Sequence, residues 1–258
     1  MGISLDKVEQ KAPALLSLAK DARVTLEKRN FTGQTAKVAL VLDHSGSMRR
    51  EYQDGSIQRL AEKVLAFATQ FDDDGAIDVF AFDSSATYLG ELGLHDYQGG
   101  IDRLLRGRRM GSTDYAGAFR AVQKHYGFDH LGPSAAPKRG LFGFGKKDAS
   151  STGALQAPAN EPVYAIFLTD GDPDNKAAAE NALRDASYAP IFWQFLSIGA
   201  NPIGFLEKLD DMGGRYIDNA DYKPVGNVDT LSGQALFDLL IDEYPSWVAE
   251  ERQRGQIR

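Results

Sequence analysis

Residues 38–48 read Val-Ala-Leu-Val-Leu-Asp-His-Ser-Gly-Ser-Met, and no other stretch constrains the fold as tightly. Five apolar residues run unbroken into Asp43. The run is far too short to span a membrane and lacks the alternation of a strand wetted on one side. It reads as a strand buried on both faces, the central element of a parallel sheet covered by helices on each side. The strand then ends in an acid and two hydroxyls at alternate positions, Asp43, Ser45 and Ser47, with Gly46 between the serines. Alternation puts the three side chains on one side of an extended turn, and Gly46 lets the backbone curl round a small ion.

The remaining periodicities extend this reading. Apolar strands are expected at 37–42, 76–82, 163–168 and 191–198, with a last short strand at 215–217. A short strand at 86–89 reads as an antiparallel edge. Helices are expected at 13–29, 57–68, 97–105, 115–126, 175–187, 203–209 and 231–244, the last ended by Pro245, with one more over 246–254. Strands alternating with helices imply an α/β fold: a doubly wound, mainly parallel sheet with helices on both faces and one short antiparallel edge strand. The chain divides into a helical extension (1–35), the α/β domain (36–245) and a C-terminal tail (246–258).

Residues 128–161 are rich in Pro, Gly, Ser and Ala and read as a mobile insertion. Within them, 141–147 (LFGFGKK) sets aromatics beside charge, a pattern that suits partner docking or a membrane surface but is more simply a linker. The same segment approaches a P-loop, but the final Ser or Thr is missing and no strand precedes it. The acidic run 72–74 reads as a solvated turn, since no EF-hand ligand spacing follows.

Composition removes whole classes of chemistry. The 258 residues contain no cysteine, which excludes disulfides, zinc–thiolate centres, iron–sulfur clusters and thiol nucleophiles. Thirty-six acids against 29 Lys and Arg give a net charge of −7, which argues against nucleic acid as a partner. No apolar run is long enough for a membrane span, and the first residues, MGISLDKVEQKAP, lack the apolar centre of a signal peptide, so a cytoplasmic protein is expected.

In a doubly wound sheet, ligands sit beyond the carboxyl ends of the strands. Asp43 ends the first strand there, and Asp170, in Leu168-Thr-Asp-Gly-Asp-Pro-Asp174, ends another. Gly111-Ser-Thr-Asp-Tyr115 supplies Thr113 at the start of a helix. The converging donors Asp43, Ser45, Ser47, Thr113 and Asp170 are all oxygens. A divalent cation relieves the repulsion of paired carboxylates, and hard oxygen donors select magnesium, manganese or calcium over zinc or copper. Asp114 reads as a helix cap, Asp172 and Asp174 as caps or supporting groups, and His44 as facing away from the ion.

These three loops together resemble the metal-ion-dependent adhesion site of von Willebrand factor A domains, over roughly residues 36–220. The resemblance implies that Asp43, Ser45 and Ser47 bind the ion directly or through water, that Thr113 joins when a ligand arrives, and that Asp170 anchors from the opposite side. The helical N-terminal extension is similar to that of the bacterial, TerF-like A-domain proteins associated with tellurium-resistance operons. The implied role is a metal-dependent protein-binding module that accepts an acidic ligand from a protein partner, and not an enzyme. Two alternatives stand beside it: a metal-dependent phosphohydrolase, which would need an acid where Ser45 stands, and a subunit of an ATPase-linked machine. Arg49 and Arg50, after the first loop, and Arg106, Arg108 and Arg109, before the second, read as a basic rim that steers an acidic partner.

Overall fold

Strand β1 (Lys37–Asp43) lies inside a six-stranded sheet, and its side chains alternate between two cores. Val38, Leu40 and Leu42 point into one; Ala39 and Val41 point into the other. The computed structural model describes residues 2–72, 74–133, 155 and 157–258. The other strands are β2 (Ala76–Phe82), β3 (Ala86–Gly93), β4 (Val163–Thr169), β5 (Ile191–Ile198) and β6 (Ala220–Gly226), in the order β3-β2-β1-β4-β5-β6. All neighbours are parallel except β3, which runs antiparallel along the β2 edge.

Among the described residues the α-helices are α1 (Leu5–Lys11), α2 (Leu16–Lys28), α3 (Arg49–Gln53), α4 (Ser56–Ala68), α5 (Gly100–Leu104), α6 (Tyr115–His125), α7 (Lys176–Ala186), α8 (Gly204–Asp210), α9 (Gly233–Leu240) and α10 (Tyr244–Gln253). Helices α6, α7 and α8 cover one face of the sheet; α1, α2, α4, α5, α9 and α10 cover the other. Side-chain caps start several of them. Asp114 accepts from the Gly117 amide at 3.0 Å to open α6, and Asn175 accepts from Ala178 at 2.9 Å to open α7.

The fold class is as the sequence implies, but four local readings change. The last strand is β6 at Ala220–Gly226, not 215–217. Its Lys223 and Pro224 disguise it; both are tolerated because β6 is an edge strand with one partner. Pro245 does not end the helix expected at 231–244. That helix stops at Leu240, and Pro245 sits in the first turn of α10, where a missing N–H costs nothing. The edge strand β3 is longer than 86–89 and continues to Gly93 past a bulge opposite Val79 and Phe80. An additional helix, α1, starts at a Ser4 cap.

The flanking segments join the same core. The Ile3 amide donates to the Thr69 carbonyl at 2.7 Å, and Phe31 meets Tyr244 edge-on at 5.6 Å. Residues 246–258, expected as a tail, carry most of α10 with Trp247 and Val248 buried. Most of the 128–161 insertion, including 141–147 and the P-loop-like run, lies outside the described residues. Its last part is held: opposite Ile257, the Ala159 amide donates to the Gln256 carbonyl at 2.8 Å and the Ala159 carbonyl accepts from the Arg258 amide at 3.1 Å.

Candidate metal centre

The strand order reverses between β1 and β4, and the crevice beyond their carboxyl ends is the binding position of a doubly wound sheet. Three loops meet there. The first leaves β1 at Asp43, whose side chain is wholly buried. Its Oδ1 accepts from the Ser45 amide at 2.8 Å, and its Oδ2 accepts from the Thr169 hydroxyl at 2.6 Å. The Ser45 and Ser47 hydroxyls lie 3.0 Å apart, and Ser47 donates to Asp170 Oδ1 at 2.8 Å. The second loop runs beside the first: the Gly46 amide donates to the Gly111 carbonyl at 3.2 Å, and Gly111 donates back to His44 at 3.3 Å. The third loop closes on the second. The Asp174 amide donates to the Thr113 carbonyl at 2.9 Å, while the Thr113 amide donates to Asp174 Oδ2 at 3.1 Å. Hydrogen bonds thus run from Asp43 through the Ser45 amide, and from the Ser45 hydroxyl through Ser47 to Asp170, while the Thr113 backbone is tied to Asp174.

Burial is the main force on Asp43 and pushes its carboxyl up to about 6; the Asp170 charge adds to this, while the Thr169 and Ser45 hydrogen bonds oppose it. A second carboxylate close to a buried one is costly unless a cation offsets both. The donor set contains only oxygen and fits a hard divalent ion.

Several supporting residues were not foreseen. Thr169 holds Asp43 Oδ2, and Tyr115 donates from its hydroxyl to Thr169 Oγ1 at 3.1 Å and to the Gly171 carbonyl. The Tyr52 hydroxyl donates to the Asp43 carbonyl at 2.8 Å. Their signal lies in the pairing of β1 with β4: Leu42 is opposite Leu168, so Thr169 follows directly beside Asp43. Asp174 braces Thr113, while Asn175 caps α7 and Asp172 pairs with Lys176 at 2.5 Å. The His44 ring packs edge-on to Tyr52 at 5.2 Å.

The five arginines do not form one rim. Arg108 is half-buried, with its Nη2 2.9 Å from Asp83 Oδ2 and donating to the Ser85 carbonyl at 3.0 Å. It braces the turn after β2 against the approach to α6. Arg49 and Arg109 are exposed and flank a groove shared with His44, Tyr52 and Met110. Arg50 faces a different groove, lined by Asp54, Gly199, Gly226 and Asp229. Arg106 is exposed.

A further acid cluster joins Asp210, Asp221 and Glu243, with carboxylate oxygens within 4.8 Å of one another. It lies at the amino end of β6, away from the crevice, and Lys223 meets Asp221 at 2.9 Å. Among the described residues no helix is long and apolar enough to cross a membrane.

A doubly wound sheet of this order, with its polar crevice at the switch point, is the architecture of von Willebrand factor A domains. The chain belongs to the vWA-TerF-like family: the profile of the vWA domain found in the TerF C terminus matches residues 35–138 and 149–257. It is 31% identical over 243 residues to YcbR of Bacillus subtilis (strain 168), covering 93% of this chain and 88% of that one. Among solved structures, proximal thread matrix protein 1 from the mussel byssus aligns with a TM-score of 0.52 at 13% identity, covering 82% of this chain. A second structure of that protein, with a zinc-occupied MIDAS motif, aligns at 0.51 and 15% identity over 82% of this chain. The chain spans about half of that mussel protein, 48% of its length. At this identity the likeness is one of fold.

Proposed function

We propose that this chain is a divalent-cation-dependent protein-binding module. Asp43, Ser45, Ser47, Thr113 and Asp170 would hold magnesium, manganese or calcium, and a carboxylate of a protein partner would complete the site. A bound cation supplies a Lewis-acidic seat for that carboxylate. The protein's own residues do the positioning: Thr169 and the Ser45 amide orient Asp43, and Asp174 holds the Thr113 segment at the crevice. The observation that carries the reading is the unbroken run of oxygens from Ser45 through Ser47 to Asp170, beside a buried carboxylate. The zinc-occupied motif of the mussel protein supports a metal role on the same fold.

Binding is favoured over hydrolysis because the residue two positions after Asp43 is Ser45, whose hydroxyl faces Ser47 and is no acid at neutral pH. The TerF-like membership supports a place in a bacterial tellurium- or stress-resistance complex in the cytoplasm. Calorimetric titration with magnesium, manganese and calcium tests the metal role: wild type binds, and Asp43→Ala does not. Pull-down from native lysate should yield a partner that is lost both with EDTA and in Asp43→Ala. A partner retained under both conditions, or phosphoester turnover by wild type that Asp43→Ala abolishes, refutes the proposal.

A further inference from the structure

Beside the candidate metal centre runs a groove of about 530 Å³ whose walls include His44, Arg49, Tyr52, Arg108, Arg109 and Met110. Each wall continues into a loop of the metal centre. His44 stands between Asp43 and Ser45, Arg49 follows Ser47 by two residues, and Met110 precedes Gly111. The floor is stiff. Tyr52 is bonded to the Asp43 carbonyl, His44 packs edge-on against Tyr52, and Asp83 fixes Arg108. Arg49 and Arg109 are different: both are exposed, and neither has an acidic partner among the described residues. Two unpaired guanidinium groups over a rigid, partly aromatic floor form a local cationic surface on a chain of net charge −7. Guanidinium groups bind carboxylates through paired, planar hydrogen bonds.

We propose that this groove is a second recognition site for the partner: one carboxylate of an acidic protein segment goes to the metal centre, and the next acidic side chain along that segment is bound by Arg49 and Arg109. The inference rests on the metal-dependent reading above and adds the partner's chemistry, a segment with neighbouring acids rather than a lone one. The half-buried Tyr52 ring and the Met110 side chain suit the methylenes of an extended peptide. Arg108 contributes as a brace and not as a contact, because Asp83 already neutralises it.

The test uses the full chain and two fluorescent peptides: decaglutamate, and a Gly/Ser decapeptide carrying one Glu. In magnesium, wild type binds decaglutamate more tightly than the single-acid peptide, and the difference shrinks between about 50 and about 500 mM salt as the charges are screened. Arg49→Gln/Arg109→Gln weakens decaglutamate binding by about tenfold or more. It leaves the single-acid peptide and the magnesium titration unchanged, which also shows that the variant is folded. If the double variant binds decaglutamate as wild type does, or wild type does not prefer it, the groove inference is overturned while the metal reading stands. If EDTA and Asp43→Ala change nothing but the double variant loses binding, the metal reading fails and the linked two-point mode fails with it. Inorganic phosphate displacing decaglutamate at equal charge also overturns the assignment to carboxylates.

Discussion

At the residue scale, the candidate centre depends on groups that never face the ion. Asp43 is buried, and ionising it there is costly; the Thr169 hydroxyl and the Ser45 amide offset part of that cost. Thr169→Val removes the 2.6 Å hydrogen bond to Asp43 Oδ2 without changing side-chain volume greatly. Groups that orient metal ligands typically contribute 10–100-fold in affinity, so we expect magnesium affinity to fall about tenfold or more, measured by calorimetry. Thr169→Ser keeps the hydroxyl and should retain most of the affinity. Equal affinity in Thr169→Val and wild type would mean that Asp43 does not need this orientation. Asp43, Ser45 and Ser47 were legible because their alternation needs only local geometry. Thr169 was not, because its role appears only once β1 and β4 are paired in register. The arginines show the opposite failure: five like charges near two loops read as one surface, yet Arg108 is held by Asp83, which is far from it in sequence.

At the element scale, α10 carries a titratable liability. Glu251 is 1% exposed, its Oε2 has no hydrogen-bond partner among the described residues, and burial pushes its carboxyl from 4.5 up to about 8. An acid raised in the folded state favours folding fully below its unfolded value of 4.5 and loses that contribution as pH rises through about 8. Wild type should therefore lose stability relative to Glu251→Gln across this window, on the order of 5 kcal/mol by pH 8.5, with the gap closing near pH 4.5. Paired thermal melts at several pH values check this; a gap independent of pH would place the Glu251 side chain in water. Elements like α10 were the hardest to read. Central strands β1, β4 and β5 declare themselves by unbroken apolar runs, because both their faces are buried. Edge strand β6 needs to bury less, so Lys223 and Pro224 hide it. Pro245 reads as a stop from sequence, yet a first helical turn accepts it equally well, and only packing decides between the two.

At the scale of the whole molecule, the N-terminal helices are part of the α/β core rather than an appendage. Helix α2 packs on both α4 and α9, and Ile3, Val8, Leu15, Leu26 and Phe31 are buried in the same cluster as the sheet. Gly2 sits so close to the Gln70 carbonyl that a Cβ there would lie 2.5 Å from it. The family profile begins at residue 35, so the profile alone would put the boundary there. Packing argues otherwise. Each large buried side chain contributes roughly 1.5–3 kcal/mol, and five of them together rival the roughly 5–15 kcal/mol by which a domain is stable. Deleting residues 2–34 should therefore abolish the cooperative thermal transition, or leave a protein that binds an exposed-apolar dye at room temperature, rather than yield a smaller stable module. Because α4 follows the first metal loop and lies under α2, magnesium binding should be lost with the fold. A truncated chain that melts cooperatively and still titrates with magnesium would show that the boundary at residue 35 is a real domain edge and that α1 and α2 only lean on it.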